Sequence, residues 1–146
     1  MKIRERRQHD TKNLQPHGAE LKVLIFVKDA EGLVQHAKPF EVRGFDVCKC
    51  LSIETAMRCV EREEFDFALV DQGSKAFEGL RVIRHLLRYN VHTPFVVLSE
   101  SKDALCYEQA LALGAVDYLE KPVSNIEMNS IIQKYFGNSC AQKSLS

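Results

Sequence analysis

The sequence lacks any apolar run long enough to cross a bilayer, and its basic N-terminus has no apolar signal-peptide core. It also lacks net charge, because 20 Lys and Arg residues balance 20 Asp and Glu residues. A global field that would attract nucleic acid or an anionic membrane is therefore absent. These absences predict a cytoplasmic protein with no nucleic-acid partner and no membrane partner.

Motifs for metal binding and disulfide exchange are also lacking. The five cysteines include no CxxC pair, and no paired histidines stand at zinc spacing. Cys48 and Cys50 fall on one face of a predicted strand, Cys59 and Cys106 fall in helical patterns, and Cys140 lies in a polar tail. We interpret these cysteines as small buried hydrophobic residues plus one exposed thiol.

Signatures of common enzymes are missing as well. The sequence has no G-x-S-x-G elbow and no Cys–His pairing. Residues 28–33 lack the Ser, Thr and Gly run that would cradle a phosphate with backbone amides. His36, His85 and His92 have no carboxylate or cysteine partner at a useful spacing. A small enzyme or a flavin carrier is therefore a weaker hypothesis than a non-enzymatic protein.

The 146 residues suit a single domain with a core large enough to need no disulfide or metal. Residues 1–20 are polar and predict a flexible leader, because they offer too little apolar surface to order themselves. Residues 21–136 form the predicted domain, and 137–146 form a predicted flexible tail.

Apolar strands alternate with amphipathic helices five times within that domain. The predicted strands are 21–27, 45–50, 65–71, 93–98 and 115–119. The second strand alternates apolar and polar residues, which places it at a sheet edge. Such alternation predicts parallel strands joined by right-handed crossovers. The predicted fold class is therefore α/β, with a doubly wound five-stranded parallel sheet.

Local signals mark the ends of several helices. Pro39 lies inside the first predicted helix, 30–43, and predicts that this helix is short, kinked or broken. Ser52 and Ser101 are the predicted N-caps of the second and fourth helices. Ser124 and Glu127 have the spacing of a capping box at the start of the fifth helix, which we expect to end near residue 136.

One polar residue follows each of four strands, at the rim where doubly wound sheets bind ligands. These residues are Asp29 after Lys28, then Asp71, Ser99 and Lys121. Two carboxylates suit a hard cation such as Mg2+. An aspartate can instead accept a phosphoryl group, which requires mainly positioning and charge neutralisation. The Lys121 ammonium and the Ser99 hydroxyl could contact that group.

With these residues in place, the chain from 21 to 136 resembles a receiver domain of two-component response regulators, of the stand-alone, chemotaxis-regulator type. The matching pieces are residues 23–29, 65–71, 93–99 and 114–119, and the pair Lys121-Pro122. The resemblance implies a flavodoxin-like sheet with strand order 2-1-3-4-5. It also implies a phosphorelay signalling protein rather than an enzyme.

The same resemblance implies roles for individual residues. Asp71 would be the phosphoacceptor, and Asp29, Asp71 and the Gly73 carbonyl would hold Mg2+. The family's switch hydroxyl, phosphate-contacting lysine and rotamer-switching aromatic would correspond to Ser99, Lys121 and Tyr118. The Lys121–Pro122 peptide bond would be cis.

The sequence also departs from the family pattern. Lys28 stands where a second acid is usual, so its charge should weaken Mg2+ binding. The loop after Asp71 lacks the usual proline, since Ser74 and Lys75 occupy those positions. These departures support an alternative, a pseudo-receiver that binds partners without phosphorylation and in which Lys28 could form an ion pair with Asp71.

The resemblance also implies partners. A histidine kinase or phosphotransferase would donate the phosphoryl group. A downstream protein would bind the face built from the fourth helix, fifth strand and fifth helix. No output domain follows residue 136, which is the basis for expecting a stand-alone receiver. A homodimer remains open.

Overall fold

The computed structural model describes residues 21–145, with side chains up to Gly137. The predicted leader, 1–20, lies outside the described residues. Five parallel strands form one sheet in the order β2-β1-β3-β4-β5, which confirms the predicted fold class and strand order. The strands are β1 Lys22–Phe26, β2 Asp46–Cys50, β3 Phe67–Asp71, β4 Phe95–Ser99 and β5 Asp117–Glu120. The helices are α1 Ala30–Glu41, α2 Ile53–Arg62, α3 Leu80–Tyr89, α4 Ala104–Ala112 and α5 Asn125–Leu145.

The sheet is buried on both faces because its central strands are apolar throughout. Alternate residues of β1 and β3 contribute to two separate cores, with Leu24 and Val70 on one face and Ile25 and Leu69 on the other. Every residue of β3 and β4 is buried. β2 lies at the edge and keeps polar residues exposed, as its alternating sequence predicts.

Pro39 does not break α1, which runs continuously for 12 residues. The expectation of a broken or short helix was therefore wrong. Pro39 lies in the last turn, where the missing N–H costs only one bond near the helix end. The Pro39 carbonyl accepts a hydrogen bond from Arg43 Nη1 at 3.0 Å, and Pro39 is buried against the core.

The predicted helix caps are correct except at α4. Ser52 accepts a hydrogen bond from Thr55 N at 3.1 Å, and Ser124 with Glu127 forms the reciprocal capping box. Asp103, not Ser101, caps α4 by accepting from Cys106 N at 3.0 Å. A carboxylate at this position competes well with a hydroxyl, and two candidate caps so close in sequence are indistinguishable by pattern alone.

α5 extends further than the sequence predicts. A break at Gly137, with φ 49° and ψ −124°, interrupts the element, and helix continues beyond it to Leu145. The predicted end near residue 136 therefore corresponds to this break. None of the described helices is long and apolar enough to cross a membrane.

Candidate functional site

The strand register brings the predicted rim residues together at the carboxyl edge of the sheet. Asp71 is the last residue of β3, and its neighbour Val70 pairs with Phe26 at the end of β1. On the other side, Asp71 pairs with Leu98, which places Ser99 one residue further along β4. Lys121 N donates to the Ser99 carbonyl at 2.7 Å, which fixes the chain after β5 beside β4.

Asp71 is almost completely buried, with 1% of its surface exposed, and both of its carboxylate oxygens accept hydrogen bonds. Oδ2 accepts from the backbone N of Lys28 and from Nζ of Lys121, each at 3.0 Å. Oδ1 accepts from Gly73 N at 3.0 Å. A buried carboxylate requires such partners because water no longer solvates its charge.

Lys121 is the cation of the site. Its side chain is 10% exposed, and its Nζ lies 3.0 Å from Asp71 Oδ2 and 3.4 Å from Glu100 Oε2. Burial lowers the pKa of Lys121, but the hydrogen bond and charge of Asp71, and then those of Glu100, outweigh it and leave the pKa raised. Lys121 is thus a firmly protonated ammonium. The following Lys121–Pro122 bond is cis, as predicted.

Ser99 provides a buried hydroxyl that lacks a partner. The residue is fully buried, and its Oγ finds no hydrogen-bond partner within the part of the chain that the structure describes. An unsatisfied buried hydroxyl costs about 1–3 kcal/mol, and most buried polar atoms in native proteins avoid this cost. The Ser99 hydroxyl, at the same edge of the sheet as Asp71 and Lys121, can therefore still donate a hydrogen bond to a ligand.

Asp29 and Lys28 occupy the exposed mouth of the site. Asp29 Oδ2 accepts from Gly32 N at 2.7 Å and caps α1, so one of its oxygens is already engaged. Lys28 contributes its backbone N–H to Asp71, and no salt bridge joins its ammonium to Asp71 among the described residues. The ion pair expected from a pseudo-receiver is therefore not formed by Lys28; Lys121 forms it instead.

The donor set fits a weakly held Mg2+. Asp29 and Asp71 supply one carboxylate each from adjacent strands, and Asp71 also accepts three hydrogen bonds. The Lys28 side chain is exposed at the same mouth, and its positive charge opposes a divalent cation.

The loop between β3 and α3 is held by hydrogen bonds to the Glu78 carboxylate. Glu78 accepts from Ser74 N at 2.6 Å and from Ser74 Oγ at 2.8 Å. Gly73 has φ +86°, and an added Cβ would collide with the Glu78 carboxylate. Gly79 packs so close to the Asp71 carbonyl that any side chain would clash with it. The loop therefore closes tightly over the carboxyl end of β3.

Tyr118 lies inside the protein, with 4% of its surface exposed. Its hydroxyl donates to Oε1 of Gln72 at 2.5 Å and accepts from Asp103 N at 3.2 Å. Gln72 is itself buried and donates from Nε2 to the Ser74 carbonyl at 3.1 Å. The residue directly after Asp71 is thus hydrogen-bonded to the aromatic residue of β5.

Sequence reasoning missed several of these contacts. Gln72, Glu78 and Glu100 were not assigned roles, and the only available signal was the adjacency of Gln72 to Asp71. His85 was expected to lack a carboxylate partner, but its Nε2 lies 2.6 Å from Oε2 of Glu61 on α2. Such contacts join residues far apart in sequence, which spacing alone does not reveal.

The chain belongs to the response regulator receiver domain family, whose model matches residues 23–133. Receiver domains of this family are signalling modules that two-component systems use. The chain is 28% identical over 120 residues to the probable C4-dicarboxylate response regulator DctR of Bacillus subtilis, covering 80% of this chain and 52% of that protein. It is 27% identical over 113 residues to the regulatory protein PhoP of the same organism, which controls alkaline phosphatase synthesis, covering 77% and 47%. The chain thus spans about half the length of these curated relatives.

Solved structures share the fold. A CheY-like receiver domain protein from Methanospirillum hungatei superposes with a TM-score of 0.72 at 18% identity, covering 86% of this chain and 97% of that one. A response regulator from Burkholderia pseudomallei, solved with a phosphorylated aspartic acid, calcium ion and citrate, gives 0.70 at 23% identity, covering 86% and 72%. These neighbours establish the CheY-like, flavodoxin-like architecture.

Proposed function

We propose that this chain is a response regulator receiver that accepts a phosphoryl group on Asp71 and signals by binding other proteins. The observation that supports this most strongly is the unpaired, fully buried hydroxyl of Ser99 at the same edge as the Asp71–Lys121 pair. A phosphoryl group bound to Asp71 would give Ser99 an acceptor and Lys121 a further anion besides Asp71 and Glu100.

The transfer step requires one nucleophile and positive charge around it. A carboxylate oxygen of Asp71 attacks the phosphorus of the donor, and the O–P bond forms as the bond between phosphorus and the leaving group breaks. The leaving group departs with the electron pair, and Asp71 becomes an acyl phosphate. Lys121 then contacts a phosphoryl oxygen, and the Gly73 N–H, which now donates to Asp71 Oδ1, stays at the reacting carboxylate.

Mg2+ is the cofactor that receiver domains generally use at this position, and the Burkholderia structure holds calcium. In this chain Asp29, Asp71 and the carbonyl of Gly73 would hold the ion. It supplies positive charge that offsets the negative charge of the incoming phosphoryl group. The exposed Lys28 makes the binding of Mg2+ weaker than an acid at the same position would, beside Asp29 and Asp71.

The partners follow from the same assignment. A histidine kinase or phosphotransferase would supply the phosphoryl group, as in other two-component systems. A downstream protein would bind the face formed by α4, β5 and the start of α5. Large apolar side chains are exposed on these helices, namely Leu105, Tyr107, Leu111 and Ile126. Tyr107 and Leu111 are four residues apart on α4 and therefore lie on the same side of the helix, and exposed apolar groups that share a side favour protein–protein contact.

Incubation with acetyl phosphate and Mg2+, followed by intact-mass measurement, tests the proposal. We expect one acid-stable, base- and hydroxylamine-labile phosphoryl adduct on the wild-type chain and none on Asp71→Asn. Asp66→Asn is the matched control, since Asp66 lies at the opposite end of β3, and it should be modified like the wild type. Absence of any adduct at high millimolar donor would contradict the proposal.

A second candidate, a pseudo-receiver that works without phosphorylation, is favoured by the contact between Gln72 and Tyr118. This hydrogen bond holds Tyr118 inside the protein. If Tyr118 is fixed in one rotamer, the α4–β5–α5 face has one permanent shape. The two candidates differ in one comparison: Asp71→Asn leaves partner binding unchanged for a pseudo-receiver and abolishes a phosphodonor-dependent response for a receiver.

A further inference from the structure

Three thiols meet at the edge of the sheet, away from Asp71. Cys48 and Cys50 point to the same side of β2, two residues apart, and Cys59 faces them from α2. The Sγ–Sγ distances are 2.9 Å for Cys48–Cys59, 3.8 Å for Cys48–Cys50 and 3.9 Å for Cys50–Cys59. Among the side chains described, this is the one group of three or more Cys, His, Asp or Glu residues close enough to share a metal ion.

The surroundings of the cluster are apolar, with one carboxylate nearby. Cys50 is fully buried, and the half-buried Cys48 and Cys59 pack against the same hydrophobic core. Burial raises the pKa of Cys59 to about 11, and the hydrogen bond to Cys50 followed by burial raises the pKa of Cys48. The negative charge of Glu63 acts on both thiols in the same direction. The free thiols are thus protonated and unreactive, and a metal ion must displace their protons in order to bind.

The sulfur spacing matches the requirements of thiolate-bound metals. With metal–sulfur bonds of about 2.3 Å, a tetrahedral ion holds its sulfur ligands about 3.8 Å apart. Two of the three observed separations, 3.8 and 3.9 Å, already meet this value. The Sγ atoms of Cys48 and Cys59 are only 2.9 Å apart, so they must move apart by roughly 1 Å to bind one ion. Both side chains are half-buried and can make this movement by small χ1 rotations.

We propose that Cys48, Cys50 and Cys59 form a binding site for a thiophilic d10 metal ion, either Cu(I) or Zn2+. Soft thiolates select these ions over Mg2+ or Ca2+. Three thiolates complete a trigonal Cu(I) site, whereas Zn2+ takes a water as its fourth ligand at the exposed side of Cys48 and Cys59. Each coordinated thiol releases its proton as the metal–sulfur bond forms.

The bound ion would cross-link the edge strand β2 to α2 at Cys59, beyond the short connection that joins the two elements. Cys50 pairs with Phe26 of β1, and its carbonyl accepts from Val27 N at 3.2 Å. Coordination would therefore tie α2 and the edge strand to the strand that leads to Lys28 and Asp29. Because the ion binds the folded chain, it should raise the melting temperature, by an amount that grows with the logarithm of the ratio of ion concentration to Kd. This site does not depend on phosphorylation of Asp71.

Anaerobic titration of the full-length, reduced protein tests the proposal. All variants carry Cys140→Ser, which removes the thiol of the tail, and are checked by circular dichroism for native fold. Cu(I) is supplied against a chromophoric Cu(I) chelator, and Co2+ serves as the probe for a tetrahedral zinc site. We expect one equivalent of Cu(I), of Co2+ with thiolate charge-transfer absorption, or of both. Cu(I) without Co2+ binding identifies the trigonal site, and Co2+ binding identifies the tetrahedral one.

Single substitutions then identify the ligands. Cys59→Ala and Cys48→Ala, both at half-buried positions, should each weaken binding at least tenfold. Cys106→Ala is the matched control, since Cys106 is a buried thiol of α4 outside the cluster, and it should leave binding unchanged. A reduced parent protein that binds neither ion overturns the proposal. Equal affinity in Cys59→Ala and Cys106→Ala also overturns it, as does a Cys48–Cys59 disulfide in protein prepared with a thiol reductant.

Discussion

At Lys28, the chain substitutes an ammonium for an acid at the mouth of the site. Its backbone N–H contacts Asp71, while its exposed side chain lies close enough to Glu78 for its charge to contribute to the lowered pKa of that carboxyl group. The lysine therefore changes the electrostatics of the site without closing it. Under the proposed function, phosphoryl transfer to Asp71 depends on how much this charge weakens the binding of Mg2+.

Replacement of Lys28 by Asp should raise the affinity for Mg2+ by about tenfold, because it removes one positive charge and adds one oxygen ligand. Isothermal titration calorimetry measures this change directly. Lys38→Asp makes the same charge change on the exposed surface of the last turn of α1 and should leave affinity nearly unaltered. Equal affinities for the two variants would mean that Lys28 does not face the ion.

Glu78 makes the stability of the β3–α3 loop depend on pH. Hydrogen bonds from the backbone N and the hydroxyl of Ser74, with help from the charge of Lys28, lower the pKa of Glu78 below its usual 4.5. Because the folded pKa is lower than the unfolded one, the ionised group contributes stability above about pH 4.5 and loses it as the pH falls through the folded value.

We therefore expect Glu78→Gln to lower the urea midpoint at pH 6 and to approach the wild type as the pH falls below 4.5 and the Glu78 carboxylate is protonated. Glu108→Gln, an exposed position on α4, should show no such convergence. A constant difference between Glu78→Gln and the wild type across this range would show that the Ser74 hydrogen bonds do not depend on the charge of Glu78.

Among the elements, β5 and the end of β3 are joined by the hydrogen bond from Tyr118 to Gln72. Gln72→Leu removes the acceptor and leaves a buried hydroxyl with only the Asp103 N–H as a partner. A larger fraction of molecules should then expose the Tyr118 ring to solvent. Fluorine NMR of protein labelled with fluorotyrosine detects this as a solvent isotope shift of the Tyr118 resonance.

Gln109→Leu, at an exposed position on α4, is the control and should leave that resonance as in the wild type. Tyr118→Phe assigns the resonance among the four tyrosines of the chain. A Tyr118 signal that stays protected in Gln72→Leu would show that ring packing against Tyr107, at 5.4 Å between centroids, is enough to hold the rotamer.

The elements themselves could be predicted because their signals are local. Strand length, apolar content and capping residues fixed the sheet, the edge position of β2 and the caps at Ser52 and Ser124. Pro39 misled because a proline removes only one hydrogen bond to the preceding turn, and α1 stays continuous to its end two residues later. The N-cap of α4 is Asp103 and not the predicted Ser101, because both residue types are favourable N-caps and stand two positions apart.

At the scale of the whole molecule, Asn90 connects three elements. The side chain is buried, and its Oδ1 accepts from Phe65 N at 2.8 Å, just before β3. Its Nδ2 donates to the carbonyls of Val60 at 3.0 Å and Glu63 at 3.2 Å, at the end of α2. Asn90 itself is the C-cap of α3. One amide thus satisfies backbone groups that would otherwise be buried without partners.

Replacing Asn90 by Ala should destabilise the fold by about 3 kcal/mol, because three hydrogen bonds are lost and buried backbone groups become unsatisfied. Urea denaturation followed by circular dichroism gives the free energy of unfolding. Asn129→Ala, on the exposed side of α5, should change it by less than about 0.5 kcal/mol. A loss below 1 kcal/mol for Asn90→Ala would mean that other groups or water replace the amide.

The rim residues were predictable as a set because parallel strands bring their carboxyl ends together. Asp29, Asp71, Ser99 and Lys121 each follow a recognisable strand, so topology alone placed them at one edge. The contacts of Gln72 and Glu78 and the meeting of three thiols were not predictable in this way. They depend on side-chain directions in a loop and between a strand and a helix, which carry no periodic signal.

Beryllofluoride is the sharpest probe of whether Asp71, Ser99 and Lys121 form one phosphoryl-binding site. This reagent mimics the acyl phosphate on an aspartate, and two-dimensional NMR reports its binding at each amide. With Mg2+ present, we predict saturable shifts for the amides of Gly73, Ser99, Lys121 and Tyr118, and none in Asp71→Asn. A wild-type spectrum unchanged by beryllofluoride and Mg2+ would contradict the account.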